Sequence, residues 1–407
     1  MPNHESLDPR RCIEDAIIAA AIDCCVAGMG RQLRAIVLTG SMARHESTMR
    51  WVNGTCLIAG DAEFLLIFDQ SARLPVERDV VVIQDQVGRK LAAEGILVCI
   101  HLAAGHPEYL EKLVPAIYAF ELKTCGKVVW GDGGILRLIP SFDACDIPRE
   151  DAWRMLQNRM VEAVYQFSQM PPQGAQFTDS FSYQLVKLYL DMATSLLIFA
   201  AKYAPTYAER VQLLSALSER GDSDRWPFPL TAFSRRVEDC TLWKLNPSAV
   251  TWKPDPDWFV AAVTYAHLLS RWELAQLTVS SEETPDTELL VRWMSRQSFV
   301  SRWRGWLFVI RELGWTRQWR QWPRWLKLGW RASPRYWLYL AASELLFQMP
   351  ILIGQPEGNW ESAQKWERLR SRLPLQSKTE NAGSQAWRRL AGDIWLSYER
   401  CIVKTRS

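Results

Sequence analysis

Residues 36–69, IVLTGSMARHESTMRWVNGTCLIAGDAEFLLIFD, constrain the fold more than any other stretch of the chain. They start with a short β-like run, Ile36-Val37-Leu38, and bend sharply at Gly40-Ser41. They close with a second β-like run over residues 61–68 that carries Asp61 and Glu63. Side chains on a strand alternate between faces, so positions two apart share a face. Asp61 and Glu63 therefore project together, and Ala62 and Phe64 turn the other way. Two neighbouring carboxylates repel each other unless something positive sits between them. A hard divalent cation that prefers oxygen ligands, Mg²⁺ above all, is the usual resolution.

This pattern resembles the DNA polymerase β-like nucleotidyltransferase superfamily. There a hydrophobic residue and Gly-Ser precede a spacer and then Asp-hydrophobic-Asp/Glu-hydrophobic. The run Gly40-Ser41-Met42-Ala43-Arg44-His45-Glu46 is similar to the GSxARGE form of many members. The resemblance covers about the first third of the chain. It implies Mg²⁺-assisted transfer of a nucleoside monophosphate from an NTP such as ATP to an acceptor the sequence does not name. It assigns the metal to Asp61 and Glu63, and the nucleotide to Gly40, Ser41 and Arg44. Arg44 has a second reading, a structural salt bridge, and Glu46 is expected to cap or orient it. The chain departs from the pattern twice. The spacer, residues 42–60, is 19 residues long, which requires an insertion around residues 51–56. The later strand expected at residues 96–102 offers His101 where members often carry a third carboxylate. His101 becomes the candidate base. The absent acid also supports a rival reading, a non-catalytic nucleotide-binding or scaffold protein that retains the fold.

The chain of 407 residues has room for two or three cores. Its charge divides unevenly. Residues 1–150 hold 15 Lys/Arg against 20 Asp/Glu, or −5, and the remainder holds 33 against 25, or +8. The nine cysteines are scattered without a CxxC pair, as expected of reduced thiols in a cytoplasm. The N-terminal residues show no apolar signal core, and no apolar run reaches the ~18–20 residues that span a bilayer. The expected location is the cytoplasm, peripheral at the inner membrane face if the basic half contacts lipid.

Helical spacing predicts a helix over residues 10–31, before the first strand. A second is expected over 76–94, stopped by Gly95. A third is expected over 108–124, after His106-Pro107. Glu121 on that helix reads as a solvated acid, with a role as base the lesser alternative. The segment Gly126-Lys127-Val128-Val129-Trp130-Gly131-Asp132 resembles the tail that follows the sheet in bacterial members. Pro140 and Pro148 mark a link. The expected fold is α+β: a small mixed-sheet nucleotidyltransferase domain over 1–147, then a mostly helical domain over 148–407. In the latter, helices are expected over 149–169, 181–203, 233–243, 258–277, 287–313, 336–347 and 386–403. Lys187 and Asp191 are spaced to pair across one turn, although Lys187 could face a phosphate. His267 reads as a core or half-buried histidine and not as a ligand.

The helical part holds 19 of the 21 tryptophans, and they crowd into a Trp/Arg-rich segment, residues 291–335. Trp315, Trp319 and Trp322 share one helical stripe, with Arg317, Arg320 and Arg324 on other sides. Three readings stand: a bundle helix with core tryptophans, a peripheral membrane contact, or a nucleic-acid contact.

Overall fold

The computed structural model describes residues 9–169, 178–220, 225–250, 253–281, 283–314, 321–354, 360–377 and 386–402. The chain forms two compact units. The first takes residues 1–151 and adds two later segments, 200–219 and 231–252. The second takes 152–199, 220–230 and 253–407.

The first unit opens with α1 (Pro9–Met29), β1 (Leu33–Thr39), the one-turn α2 (Gly40–Ala43), β2 (Thr48–Val52) and β3 (Thr55–Phe68). Then come α3 (Glu77–Ala93), β4 (Ile96–Gly105), α4 (Pro107–Glu111), α5 (Ile117–Cys125) and β5 (Lys127–Gly131). The five strands make one mixed sheet, β2-β3-β1-β5, with β4 parallel on β3. The other pairings are antiparallel. The fold is therefore α+β, a small mixed sheet followed by a largely helical remainder.

The long spacer forms a hairpin. Asn53 and Gly54 both adopt positive φ, at 50° and 83°, and join β2 to β3 in the two-residue turn that Asn-Gly favours. The first half of β3 pairs with β2, and the second half with β1. The alternation along β3 separates two cores. Ala62, Phe64 and Leu66 face a layer built with Ile17 of α1 and Val87 of α3. Leu65 and Ile67 face Leu110 of α4 and Leu122 of α5. Burying each such large apolar side chain contributes roughly 1.5–3 kcal/mol. The helix expected over 108–124 is two short helices, because Pro115 lies between α4 and α5 and cannot donate to a helical ladder.

Two later helices complete this unit, α8 (Tyr207–Ser218) and α9 (Leu230–Leu245). Thr206 and Glu209 form a reciprocal capping box at the start of α8.

The second unit is helical: α6 (Arg149–Ser168), α7 (Asp179–Phe199), α10 (Pro256–Thr278), α11 (Asp286–Ser295), α12 (Phe299–Leu313), α13 (Trp322–Arg331), α14 (Pro334–Leu346), α15 (Met349–Gly354), α16 (Trp360–Arg370) and α17 (Ala386–Cys401). Trp153 is fully buried, with the rings of Tyr336 and Tyr339 at 5.6 and 5.5 Å. The helix expected over 287–313 is broken at Ser298, whose hydroxyl accepts from the Ser301 amide and starts α12. Asp191, expected opposite Lys187, accepts from Arg159 Nε at 2.5 Å, and the Lys187 ammonium lies over the Tyr183 ring. His267 is half-buried, as expected. It stacks on Phe347 at 4.3 Å and meets Asp286 at 2.5 Å. Among the described residues no helix is long and apolar enough to cross a membrane.

Glu273 on α10 is fully buried, and Ser195 of α7 donates to its Oε1 at 2.5 Å. Burial pushes its carboxyl from 4.5 up to about 8, and the Ser195 bond offsets this only in part. The folded protein therefore holds a proton that the unfolded chain has released. This contribution to stability is fully present below about pH 4.5 and is lost as pH rises towards 8. Glu273→Gln cannot ionise and keeps an acceptor for Ser195. Thermal melts at about pH 5 and about pH 8 should differ less in the variant than in the wild type, by about 2–4 °C per kcal/mol of linked stability. Equal pH dependence in both proteins would contradict the assignment.

Candidate active site

The register of β1 on β3 sets the geometry. Thr39, the last residue of β1, lies opposite Glu63, and Leu38 lies opposite Phe64. The next residue, Gly40, has φ +68°. That left-handed backbone is costly for residues with a Cβ. A methyl group on Gly40 would also stand 3.1 Å from Cδ and Oε2 of Glu63. The bend thus presses against one of the two carboxylates. Thr39 Oγ1 adds long hydrogen bonds of 3.4 Å to the Glu63 carbonyl and to its Oε2.

Asp61 and Glu63 share the face of β3 that further on carries Leu65 and Ile67. Ala62 and Phe64 are buried on the other face, at 0% and 1% exposure. Asp61 is exposed and Glu63 half-buried. On the parallel neighbour β4, Cys99 is registered with Asp61 and His101 with Glu63. Partial burial pushes the Cys99 thiol above its ordinary value, and the Asp61 carboxylate beside it adds to the shift. The sheet therefore gathers Thr39, Asp61, Glu63, Cys99 and His101 at one polar end of an otherwise apolar face.

Among the described residues no group of three or more His, Cys, Asp or Glu side chains converges to hold a metal ion. A pair of carboxylates still fits Mg²⁺, which commonly takes one or two from the protein and fills its other positions with water and substrate phosphate. Ser41 follows Gly40 in α2, half-buried, and its carbonyl accepts from the Glu46 amide at 2.8 Å.

Arg44, expected at the triphosphate, has its guanidinium in a buried ion-pair cluster, with 6% of its side chain exposed. Its Nε donates to Glu46 Oε2 at 2.9 Å and its Nη1 to Glu121 Oε2 at 2.7 Å. Burial works against this charge, but Glu121, Tyr207 and Glu46 more than offset it and hold its pKa above the ordinary value. Glu46 orients Arg44, and its Oε1 also accepts from the Tyr207 amide at the start of α8, at 2.6 Å. Glu121 is not the solvated acid its place in the sequence suggests. Its Oε1 accepts from Tyr203 Oη at 2.5 Å and from Arg210 Nη2 at 2.6 Å. Arg210 lies over the rings of Tyr203 and Tyr207. Sequence reasoning missed Arg210. The usable signal was its place one turn after Tyr207, just beyond the Thr206–Glu209 capping pattern.

His45 occupies the glycine position of the resembled motif, and it adopts the left-handed conformation that glycine takes easily, φ 57°. Its ring spans Glu14 Oε2 at 2.5 Å and Lys127 Nζ at 2.6 Å, so polar contacts offset a strained backbone.

The crystal structure of spectinomycin adenyltransferase AAD(9) from Enterococcus faecialis, with ATP and spectinomycin, is similar at 12% identity and a TM-score of 0.37. The match covers 62% of this chain and 98% of that one. A likeness at that score decides nothing about chemistry. No protein-family model and no curated protein matches the chain.

Glu121 is the acid shared by Arg44 and Arg210, so Glu121→Gln leaves two buried guanidiniums short of countercharge. The expected loss is about 3–5 kcal/mol of unfolding free energy, read from urea denaturation. A loss below about 1 kcal/mol, the range of exposed pairs, would mean that the cluster is solvated and does not hold the turn.

Proposed function

We propose that this chain is a nucleotidyltransferase that moves a nucleoside monophosphate from an NTP, ATP being the first to test, to an acceptor nucleophile. The observation that supports this reading is the contact between the Gly40 bend and the Glu63 carboxylate. A phosphate tail approaching a backbone without Cβ would reach Glu63 and Asp61 at once. In this reading Asp61 and Glu63 hold Mg²⁺, which when bound neutralises charge on the phosphates and on the departing pyrophosphate.

The protein's own groups divide the remaining work. Gly40 allows close approach, and the Ser41 hydroxyl donates to a phosphate oxygen. His101, registered with Glu63, accepts the acceptor's proton as general base. The acceptor oxygen bonds to the α-phosphorus, the bond to the bridging oxygen breaks, and pyrophosphate leaves. Arg44 takes a positioning role: bound to Glu46 and Glu121, it fixes the segment after the bend.

The rival is a non-catalytic nucleotide-binding protein of the same fold. The observation that favours it is the absence of a third metal-ligating side chain among the described residues. Incubation with labelled NTPs and Mg²⁺ separates the two. Asp61→Asn and Glu63→Gln should each lower pyrophosphate release by about 10²–10³-fold, as removal of a transition-state charge stabiliser does. His101→Ala should lower it by about 10²-fold and flatten the acidic limb of the pH profile. Release that survives both carboxylate substitutions would overturn the assignment. NTP binding without release in the wild type, with a panel of hydroxyl-bearing acceptors present, would favour the rival.

Gly40→Ala tests the geometric premise. It forces a Cβ into a left-handed backbone and against Glu63, so the melting temperature should fall by the equivalent of about 1–2 kcal/mol. NTP affinity should fall further than stability explains. A variant with wild-type affinity would remove the support the bend gives.

A further inference from the structure

The tryptophan-rich segment resolves into two parts. Trp315 and Trp319 of the expected stripe, with Arg317 and Arg320, lie outside the described residues. Trp306 of α12 and Trp325 of α13 are core residues, at 0% and 2% exposure, with rings 6.2 Å apart. Their indole N–H groups donate to the carbonyls of Ala332 and Pro374. Packing accounts for these two indoles.

The outer faces of the same two helices are different. On α12 the exposed positions Val300, Arg304, Leu307 and Arg311 fall on one helical stripe. Val300 is 72% exposed and Leu307 54%. On α13, Leu326 and Trp330 are one turn apart, at 54% and 70% exposure. Lys327 and Arg331 are exposed beside them. Phe299 of α12, 58% exposed, has its ring 6.1 Å from that of Trp330 on α13. Arg302 locks the junction by donating to the Trp330 carbonyl at 2.9 Å. The two packed helices thus expose Phe299, Val300, Leu307, Leu326 and Trp330, with Arg304 and Arg311 on the α12 stripe and Lys327 and Arg331 beside the α13 pair. Glu312 is the sole acid among the described residues of α12 and α13.

We infer that this face docks on an anionic lipid surface. The charge selects against a second copy of the chain, because self-docking would oppose cations to cations. The shape of the apolar groups selects against single-stranded nucleic acid. Base stacking needs aromatic rings, and three of the five exposed groups are aliphatic. Aliphatic and indole side chains enter the boundary between headgroup and acyl chain, while Arg and Lys reach anionic headgroups from the same face. Each cation near such a surface strengthens binding about fivefold, and the apolar groups hold contact once salt has screened the charge.

The test is flotation of the full chain with vesicles of 3:1 phosphatidylcholine to phosphatidylglycerol, beside vesicles of phosphatidylcholine alone. The wild type should float with the anionic vesicles at least about tenfold more than with the neutral ones. Raising the salt should reduce this binding without abolishing it. Two double variants complete the test, Leu326→Ser with Trp330→Ala, and Lys327→Glu with Arg331→Glu. All four positions are exposed, and wild-type thermal midpoints identify folded protein. Each pair should lower the bound fraction at least about fivefold, the charge pair chiefly at low salt. No flotation of the wild type at low salt would overturn the inference, and so would wild-type flotation of both folded pairs. Binding of a labelled single-stranded RNA, or self-association, lost with the same substitutions while vesicles are ignored would overturn it in favour of that partner.

Discussion

The pairing of β1 with β3 is the constraint on which the rest of the first unit depends. Side chains on a strand alternate, so a slip of one residue would exchange the two faces of β3. Asp61 and Glu63 would then face α1 and α3, and Ala62 and Phe64 would face the bend. The apolar partners prevent this. Phe64 and Leu66 lie in one core with Ile36 and Leu38, and Leu65 and Ile67 in the other with Ala35 and Val37. Hydrophobic burial on both sides of the sheet therefore fixes where a carboxylate meets a glycine. The polar end of the strand inherits its position from the apolar end.

A second constraint anchors the segment just past the bend. Arg44 leaves α2 and is gripped by Glu46 and Glu121, and Glu121 is also bound by Tyr203 and Arg210. Two guanidiniums and two carboxylates are balanced in charge, and the carboxylate oxygens of both acids find donors from four residues, Arg44, Tyr203, Tyr207 and Arg210. Such a network costs a good deal to desolvate, and its loss leaves charges uncompensated. Its use lies in specificity of position. It ties the turn to α5 and to residues 203–210, which rejoin this unit after α7. Glu46, which accepts from the Tyr207 amide at the start of α8, and Lys244 of α9, which donates to the Glu46 carbonyl at 3.2 Å, extend the tie.

Much of the sheet was legible because its signals are local. The face shared by Asp61 and Glu63, the strand over 96–102 and the stop at Gly95 all follow from period and punctuation. The hairpin at Asn53-Gly54 carried a strong turn signal too, but a spacer read as an insertion concealed it. β5 was missed because it is only five residues long and lacks clean alternation, with four residues half-buried and Gly131 exposed. The charge cluster was illegible for another reason. Nothing local in Phe120-Glu121-Leu122 shows that a guanidinium 89 positions later will bind that acid. A buried ion pair is a property of topology, and a solvated acid looks the same in one dimension. The same blindness affected Asp191, assigned to Lys187 by helical spacing and claimed by Arg159 from another helix.

The two carboxylates and their β4 neighbours also set what the polar end of the sheet can do. Asp61 and Glu63 contribute at most two negative charges, matched by one divalent ion. With that ion in place, the pair adds no net repulsion to an incoming polyanion. A third carboxylate would tip the balance negative and would also supply a strong base. Here β4 presents an imidazole and a thiol at the registered positions. In the reaction proposed above, the imidazole is the group that accepts the proton. The Cys99 thiol, pushed upward beside Asp61, stays neutral near pH 7. The β4 residues registered with Asp61 and Glu63 therefore add no third carboxylate to this end of the sheet, and the proposed reaction assigns proton acceptance to His101.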